Sequence, residues 1–174
     1  KGINAFVPAR STESMRREFG VTHILKLAGN ENSVGASPKV KEAIKNALEN
    51  LGEYPDPACS LLSEQLAVKL KVDTAQIVVE NGLFALLPLI AQVFLSKEDE
   101  VIIPTPSFGW YEIVVKNAEG SPIFAPLNAH SVDLAQVLSA VRSKTRLVIL
   151  CNPNNPTGTI FNHEALIFFM DALP

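Results

Sequence analysis

Cysteine is scarce in this chain of 174 residues: Cys59 and Cys151 are the whole complement. They lie far apart and form no CxxC pair or Cys/His cluster, which argues for free thiols in a reducing compartment rather than a disulfide framework or a zinc site. Histidine is equally thin, and His23, His130 and His163 are too widely spaced to suggest a metal centre. No Lys/Arg stripe appears and the formal net charge is −3, which disfavours nucleic acid as a partner. The one notable apolar run, residues 83–95, is interrupted by Pro88 and Gln92. It falls short of the roughly 20 residues a bilayer span requires, so no membrane association is expected and a cytoplasmic location is the default. None of the nine glycines form a GxG pair, and no Gly-Lys-Ser/Thr occurs. The nicotinamide-binding Rossmann oxidoreductases and the P-loop kinases are weakened accordingly.

What is present is an alternation. Strand-like runs occur at residues 76–79, 100–103, 122–125 and 146–150, with a weaker one at 24–27. Helical patterns occupy 12–19, 38–48, 60–70, 83–95, 113–118, 133–141 and 164–170. Ser37-Pro38 reads as an N-cap followed by proline in the first turn, and Ser60 as the cap of the third helix. No Asn-Gly or Asp-Gly hairpin turn joins two strands. The repeating β-loop-α order predicts an α/β fold: three layers, with a mostly parallel, doubly wound sheet and helices on both faces. Residues 1–37 read as an irregular N-terminal arm and 38–174 as part of the layered domain.

The chain is organised around Cys151-Asn152-Pro153-Asn154-Asn155-Pro156-Thr157-Gly158-Thr159. This string follows the aliphatic strand 146–150, so it leaves the carboxyl end of a buried strand, where open α/β sheets place their ligands. Each Pro stops strand and helix alike, and Asn154 and Asn155 offer short amides that a fixed turn can aim at a ligand. Two further loops have the same origin. Glu80-Asn81-Gly82 precedes a helix whose first N–H groups and dipole favour an anion. Pro104-Thr105-Pro106-Ser107-Phe108-Gly109-Trp110-Tyr111 follows strand 100–103 and carries a Pro/aromatic pattern.

The string resembles the NPNNPTG signature of the fold-type I aminotransferases, which use pyridoxal 5′-phosphate. The segment 27–38, with Asn30-Glu31-Asn32, and the Tyr54-Pro55-Asp56 triplet make the chain most similar to the histidinol-phosphate aminotransferases within that family. The resemblance implies that Asn155 hydrogen-bonds the cofactor's phenolic oxygen, with Asn155-Pro156 often cis. It implies that backbone amides of Gly82, Leu83 and Phe84 hold the phosphate and that the Phe108 ring stacks on the pyridine. Tyr54 would reach the phosphate of a partner subunit in a homodimer, and Asn30 and Asn32 would touch substrate. The implied reaction moves an amino group between an amino-acid-like donor and 2-oxoglutarate, as in histidine biosynthesis. An aromatic aminotransferase, a threonine-phosphate decarboxylase and a non-catalytic relative share these motifs.

Two departures from the family pattern stand out. Leu83-Phe84-Ala85 replaces the usual small polar and acidic residues after the glycine, and Ser33 stands where proline is usual. The resemblance covers about the first half of a family member, so no catalytic residue is expected within this chain. The Schiff-base lysine is expected beyond Pro174, with the pyridinium aspartate and the substrate arginine. Lys97 and Lys144 both follow serine but read as solvated loop residues away from the carboxyl end of the sheet.

Overall fold

A computed structural model describes residues 10–174; the first nine residues of the expected arm lie outside the described residues. The chain divides into two compact units, with the boundary between Val78 and Val79.

The unit ending at Val78 is helical. Helix α1 (Thr12–Phe19) is capped by the Ser11 side chain, which accepts from the Ser14 N–H, and it ends at Gly20 in the left-handed region. Helix α2 (Pro38–Ala47) starts as the Ser-Pro pair predicts, with the Ser37 side chain accepting from the Val40 N–H. Helix α3 (Ser60–Leu70) follows. Here the expected cap is corrected. Asp56, not Ser60, is the acceptor: its two carboxylate oxygens take the N–H groups of Ala58 at 2.9 Å and Ser60 at 2.8 Å. Those bonds, Ser60's first, hold the Asp56 carboxyl below its ordinary range.

The strand-like runs 24–27 and 76–79 form no strand. Leu25 and Leu27 are exposed and Lys26 pairs with Glu31. Thr74–Gln76 is a 3-10 turn closed by Asp73 in a capping box, after which the backbone is extended at Ile77. Extended backbone becomes sheet only when a neighbouring strand takes its N–H and C=O groups, and neither segment has one among the described residues.

The unit Val79–Pro174 is the layered one. Its elements are α4 (Leu83–Phe94), β1 (Glu100–Thr105), α5 (Trp110–Asn117), β2 (Ser121–Pro126), α6 (Leu134–Ser139), β3 (Thr145–Val148) and α7 (His163–Asp171). The sheet has the order β2-β1-β3, and both pairings of β1 are parallel. β1 is central, and its four inner residues are buried. Its alternating side chains feed two cores. Val101 and Ile103 pack with Ala91, Leu95, Val114 and Val115 from the α4 and α5 side. Ile102 packs with Ala125, Val137 and Phe169 from the α6 and α7 side. A central strand covered on both faces explains the uninterrupted apolar run in the sequence, and the expected three-layer parallel architecture is present.

Gly120, between α5 and β2, is required by close approach. A Cβ there would lie 3.2 Å from Val115 Cγ1, 3.3 Å from Leu95 Cδ1 and 3.3 Å from the Val115 carbonyl oxygen. At the same, amino edge of the sheet, Lys144 pairs with Glu98 at 3.4 Å and Lys97 is exposed. Neither lysine is at the carboxyl edge.

Candidate cofactor site

From the carboxyl end of β1 the chain turns to α5 on one face; from that of β3 it turns to α7 on the other. Adjacent parallel strands whose loops part to opposite faces leave a crevice between them, the switch point at which doubly wound sheets bind ligands. Phe108 and Asn155 lie on the two loops that flank it.

The loop after β3 is tightly self-bonded. Asn152 brackets it at its base: its Nδ2 donates to the Phe161 carbonyl at 3.1 Å, and its Oδ1 accepts from the Phe161 N–H at 3.2 Å. The Asn154 N–H donates to the Thr159 carbonyl and the Gly158 N–H to the Asn154 carbonyl. The Asn155-Pro156 peptide is cis, as the resemblance implied, and so are Asn152-Pro153 and Thr105-Pro106.

The two asparagines behave differently. Asn154 is 2% exposed, the one buried polar residue among those described. Its Nδ2 donates to the Thr157 hydroxyl at 2.8 Å and the Pro106 carbonyl at 3.2 Å. Its Oδ1 accepts from the Ser107 hydroxyl at 3.2 Å. The expectation that both amides face a ligand is therefore corrected: the Asn154 amide is turned inward and joins the β3 loop to the β1 loop. Asn155 is half-buried, and its side chain makes no hydrogen bond to another described residue.

The loop before α4 joins the same edge through aromatic contact. Gly82, at φ 77° and ψ 170°, precedes the first helical residue; that backbone favours glycine. The Phe84 ring lies flat on Trp110 with centroids 4.1 Å apart and planes 10° apart. Trp110 Nε1 donates to the Phe84 carbonyl at 3.1 Å. Phe108 meets Tyr111 edge-on at 5.6 Å. Burial first, then the neighbouring Cys151 thiol, raises the Tyr111 phenol above the usual tyrosine range. A fourth loop, after β2, is tied in where the Thr159 hydroxyl donates to the His130 carbonyl at 2.9 Å.

Gly82, the first residues of α4 at Leu83 and Phe84, and the loop residues Phe108 and Asn155 thus gather at one sheet edge. Tyr54, Asn30 and Asn32 lie in the other unit. There Tyr54 is fully exposed. Asn32 closes its own turn, donating to the Gly35 carbonyl at 3.0 Å and accepting from the Val34 N–H at 3.1 Å. Sequence reasoning missed the inward role of Asn154 and the contribution of Ser107. The only available signal was the doubled asparagine, which does not say which amide turns inward.

A parallel doubly wound sheet with this loop cluster at its switch point defines an α/β domain built to hold a small ligand. The model of the aminotransferase class I and II family matches residues 22–171, and the chain belongs to that family. Histidinol-phosphate aminotransferase 2 of Carboxydothermus hydrogenoformans is 42% identical over all of this chain and 48% of its own length. The histidinol-phosphate aminotransferase of Caldicellulosiruptor saccharolyticus is 40% identical over 99% of this chain and 48% of its own. The chain spans about half the length of the curated relatives it matches. Among solved structures, histidinol-phosphate aminotransferase from Sinorhizobium meliloti in complex with pyridoxal-5′-phosphate superposes with a TM-score of 0.88 at 28% identity. It covers 97% of this chain and 46% of that one. Aspartate aminotransferase from Thermus thermophilus with maleate gives a TM-score of 0.80, also at 28% identity, covering 92% and 44%.

Proposed function

We propose that this chain is the amino-terminal part of the cofactor-binding domain of a pyridoxal-phosphate-dependent aminotransferase acting on histidinol phosphate or a similar amine. The observation that carries this reading is the joining of three loops at the carboxyl edge through Asn154, Ser107, Trp110 and Phe84. The residues present fit a flat phosphorylated ring. The start of α4 offers backbone N–H groups and a positive dipole end to a phosphate, so the apolar Leu83 and Phe84 side chains do not prevent binding by the main chain. Phe108 offers a flat apolar ring, and the Asn155 amide is able to donate to a phenolic oxygen.

When bound, pyridoxal phosphate supplies a carbonyl that takes up the donor's amino group and a ring that withdraws electrons from the reacting carbon. The residues of this chain bind and orient. Phe108 fixes the ring plane, Asn155 sets its rotation, and the α4 amides anchor its phosphate. The proton-moving lysine, the amino acceptor 2-oxoglutarate, a homodimer completed by Tyr54, substrate contacts from Asn30 and Asn32 and a cytoplasmic location are all parts of this proposal.

The test is made on the full-length protein. Added pyridoxal phosphate should give a visible absorbance band that shifts on addition of histidinol phosphate, and 2-oxoglutarate should then be converted to glutamate. Absence of both the band and glutamate overturns the proposal. A band shift with an aromatic amino acid but not with histidinol phosphate would move the substrate class.

A further inference from the structure

We infer that Asn154 is a positioning residue: it clamps the loop that presents Phe108 to the loop that presents Asn155, and cofactor affinity depends on that clamp. The inference rests on the function proposed above, but its first half concerns the protein alone. Asn154 is 2% exposed, and a buried amide stays buried only when its polar atoms are paired. Both of its amide hydrogens are used, one within its own loop on Thr157 and one across to the Pro106 carbonyl. Its oxygen takes the Ser107 hydroxyl. The partners lie 47 and 48 positions earlier in the chain, immediately before Phe108. Thr157 also contacts Thr159 at 2.9 Å, and Thr159 holds the His130 carbonyl at 2.9 Å. One side chain thus sets the spacing of the two loops bordering the crevice, while the adjacent Asn155 has its amide available.

The chemistry makes the residue type matter. Asparagine alone among side chains of its shape donates twice and accepts at the same point. Aspartate would keep the volume but lose both donors, and it would set a carboxylate oxygen against the Pro106 carbonyl. A residue that only fills space would be rescued by that isostere; a clamp would not.

The experiment uses the full-length protein and the variants Asn154→Ala, Asn154→Asp, Ser107→Ala and Asn155→Ala. Hydrogen exchange of the cofactor-free protein is read at the amides of residues 107–110, 154, 155 and 157–159, and pyridoxal phosphate affinity is read by titration. In both Asn154 variants the two loops should exchange about tenfold faster, the size expected when buried hydrogen bonds are lost. Val101–Ile103 should keep their protection, and the dissociation constant should rise by about tenfold. Ser107→Ala should change both readouts in the same sense by less. Asn155→Ala should weaken the cofactor without altering exchange.

Unchanged loop exchange in Asn154→Ala, or full rescue by Asn154→Asp, overturns the clamp. Faster exchange with unchanged affinity overturns its role toward the cofactor. If Asn154→Ala does not fold, Ser107→Ala, which removes one bond, and Thr157→Val, which removes the bonds to Asn154 and Thr159, carry the same two readouts. Wild-type protein that binds no pyridoxal phosphate overturns the proposed function and the affinity half of the inference together, while exchange still decides the clamp.

Discussion

Trp110 lies flat against Phe84, with ring centroids 4.1 Å apart, and its indole N–H donates to the Phe84 carbonyl at 3.1 Å. Phe84 is one of the positions at which this chain departs from its family's pattern, and the chain's single tryptophan is what it packs against. The stack joins the first turn of α4 to the first residue of α5, so the apolar departure contributes to the architecture of the edge. An aromatic pair contributes about 1 kcal/mol beyond its buried area, and a hydrogen bond about as much. Trp110→Ala should therefore lower stability in urea unfolding by about 2 kcal/mol, and Trp110→Phe by about half of that. A Trp110→Ala loss below a few tenths of a kcal/mol would show that the contact is not maintained in solution.

Asn155 presents the complementary case. It is half-buried and makes no side-chain hydrogen bond among the described residues, so its amide leaves little behind when removed. Asn155→Ala should change unfolding stability of the cofactor-free full-length protein by no more than about 0.5 kcal/mol, the usual range away from structural features. It should raise the dissociation constant for pyridoxal phosphate about tenfold, through loss of one bond to the cofactor. Paired urea melts and cofactor titrations separate the two effects. Equal affinity in variant and wild type would remove Asn155 from the proposed site.

Much of the fold was legible because its signals are local and redundant. β1 is an apolar run, the cap of α2 is the Ser37 side chain at its expected place, and Gly82 marks the start of α4. What was not legible depended on partners distant in sequence. Residues 24–27 and 76–79 have strand-like composition, but strand formation is decided by a neighbour that composition does not reveal. The cap of α3 went to Asp56 because its carboxylate reaches two N–H groups at once, whereas Ser60 is already inside the helix. The same limit hid Asn154: which of two adjacent amides turns inward depends on Pro106 and Ser107, nearly fifty residues away.

Gly120 offers a test of packing independent of any ligand. A methyl group there would meet two side chains that can give way slightly, Val115 Cγ1 at 3.2 Å and Leu95 Cδ1 at 3.3 Å, and one carbonyl oxygen that is fixed by the end of α5. Overpacking of this kind costs about 1–3 kcal/mol. Gly120→Ala should therefore lower the urea midpoint without changing the slope of the transition. An unchanged midpoint would mean that the α5–β2 turn relaxes freely.

Asp133 ties the acid stability of the α6 and α7 face to one half-buried carboxylate. It caps α6, with Oδ1 accepting from the Ala135 and Gln136 N–H groups at 3.0 and 3.2 Å, and Oδ2 from the Gln136 side chain at 3.1 Å. The Gln136 side-chain bond first, and its backbone bond second, hold the Asp133 carboxyl below the ordinary aspartate range. A folded-state value below the unfolded one means that the unfolded chain takes up the proton first. The cap's contribution is complete above the unfolded value and is lost as pH falls through the depressed one. Hydrogen exchange at Ala135 and Gln136 should accordingly be flat above about pH 5, after correction for intrinsic rates, and accelerate below that. Asp133→Ala should be fast at every pH and lack the acid-dependent step. The step should also appear, attenuated, at Val137, which places the cap's helix in the core beside Ile102 and Phe169. If the step persists in Asp133→Ala, another carboxylate governs the acid response of this face.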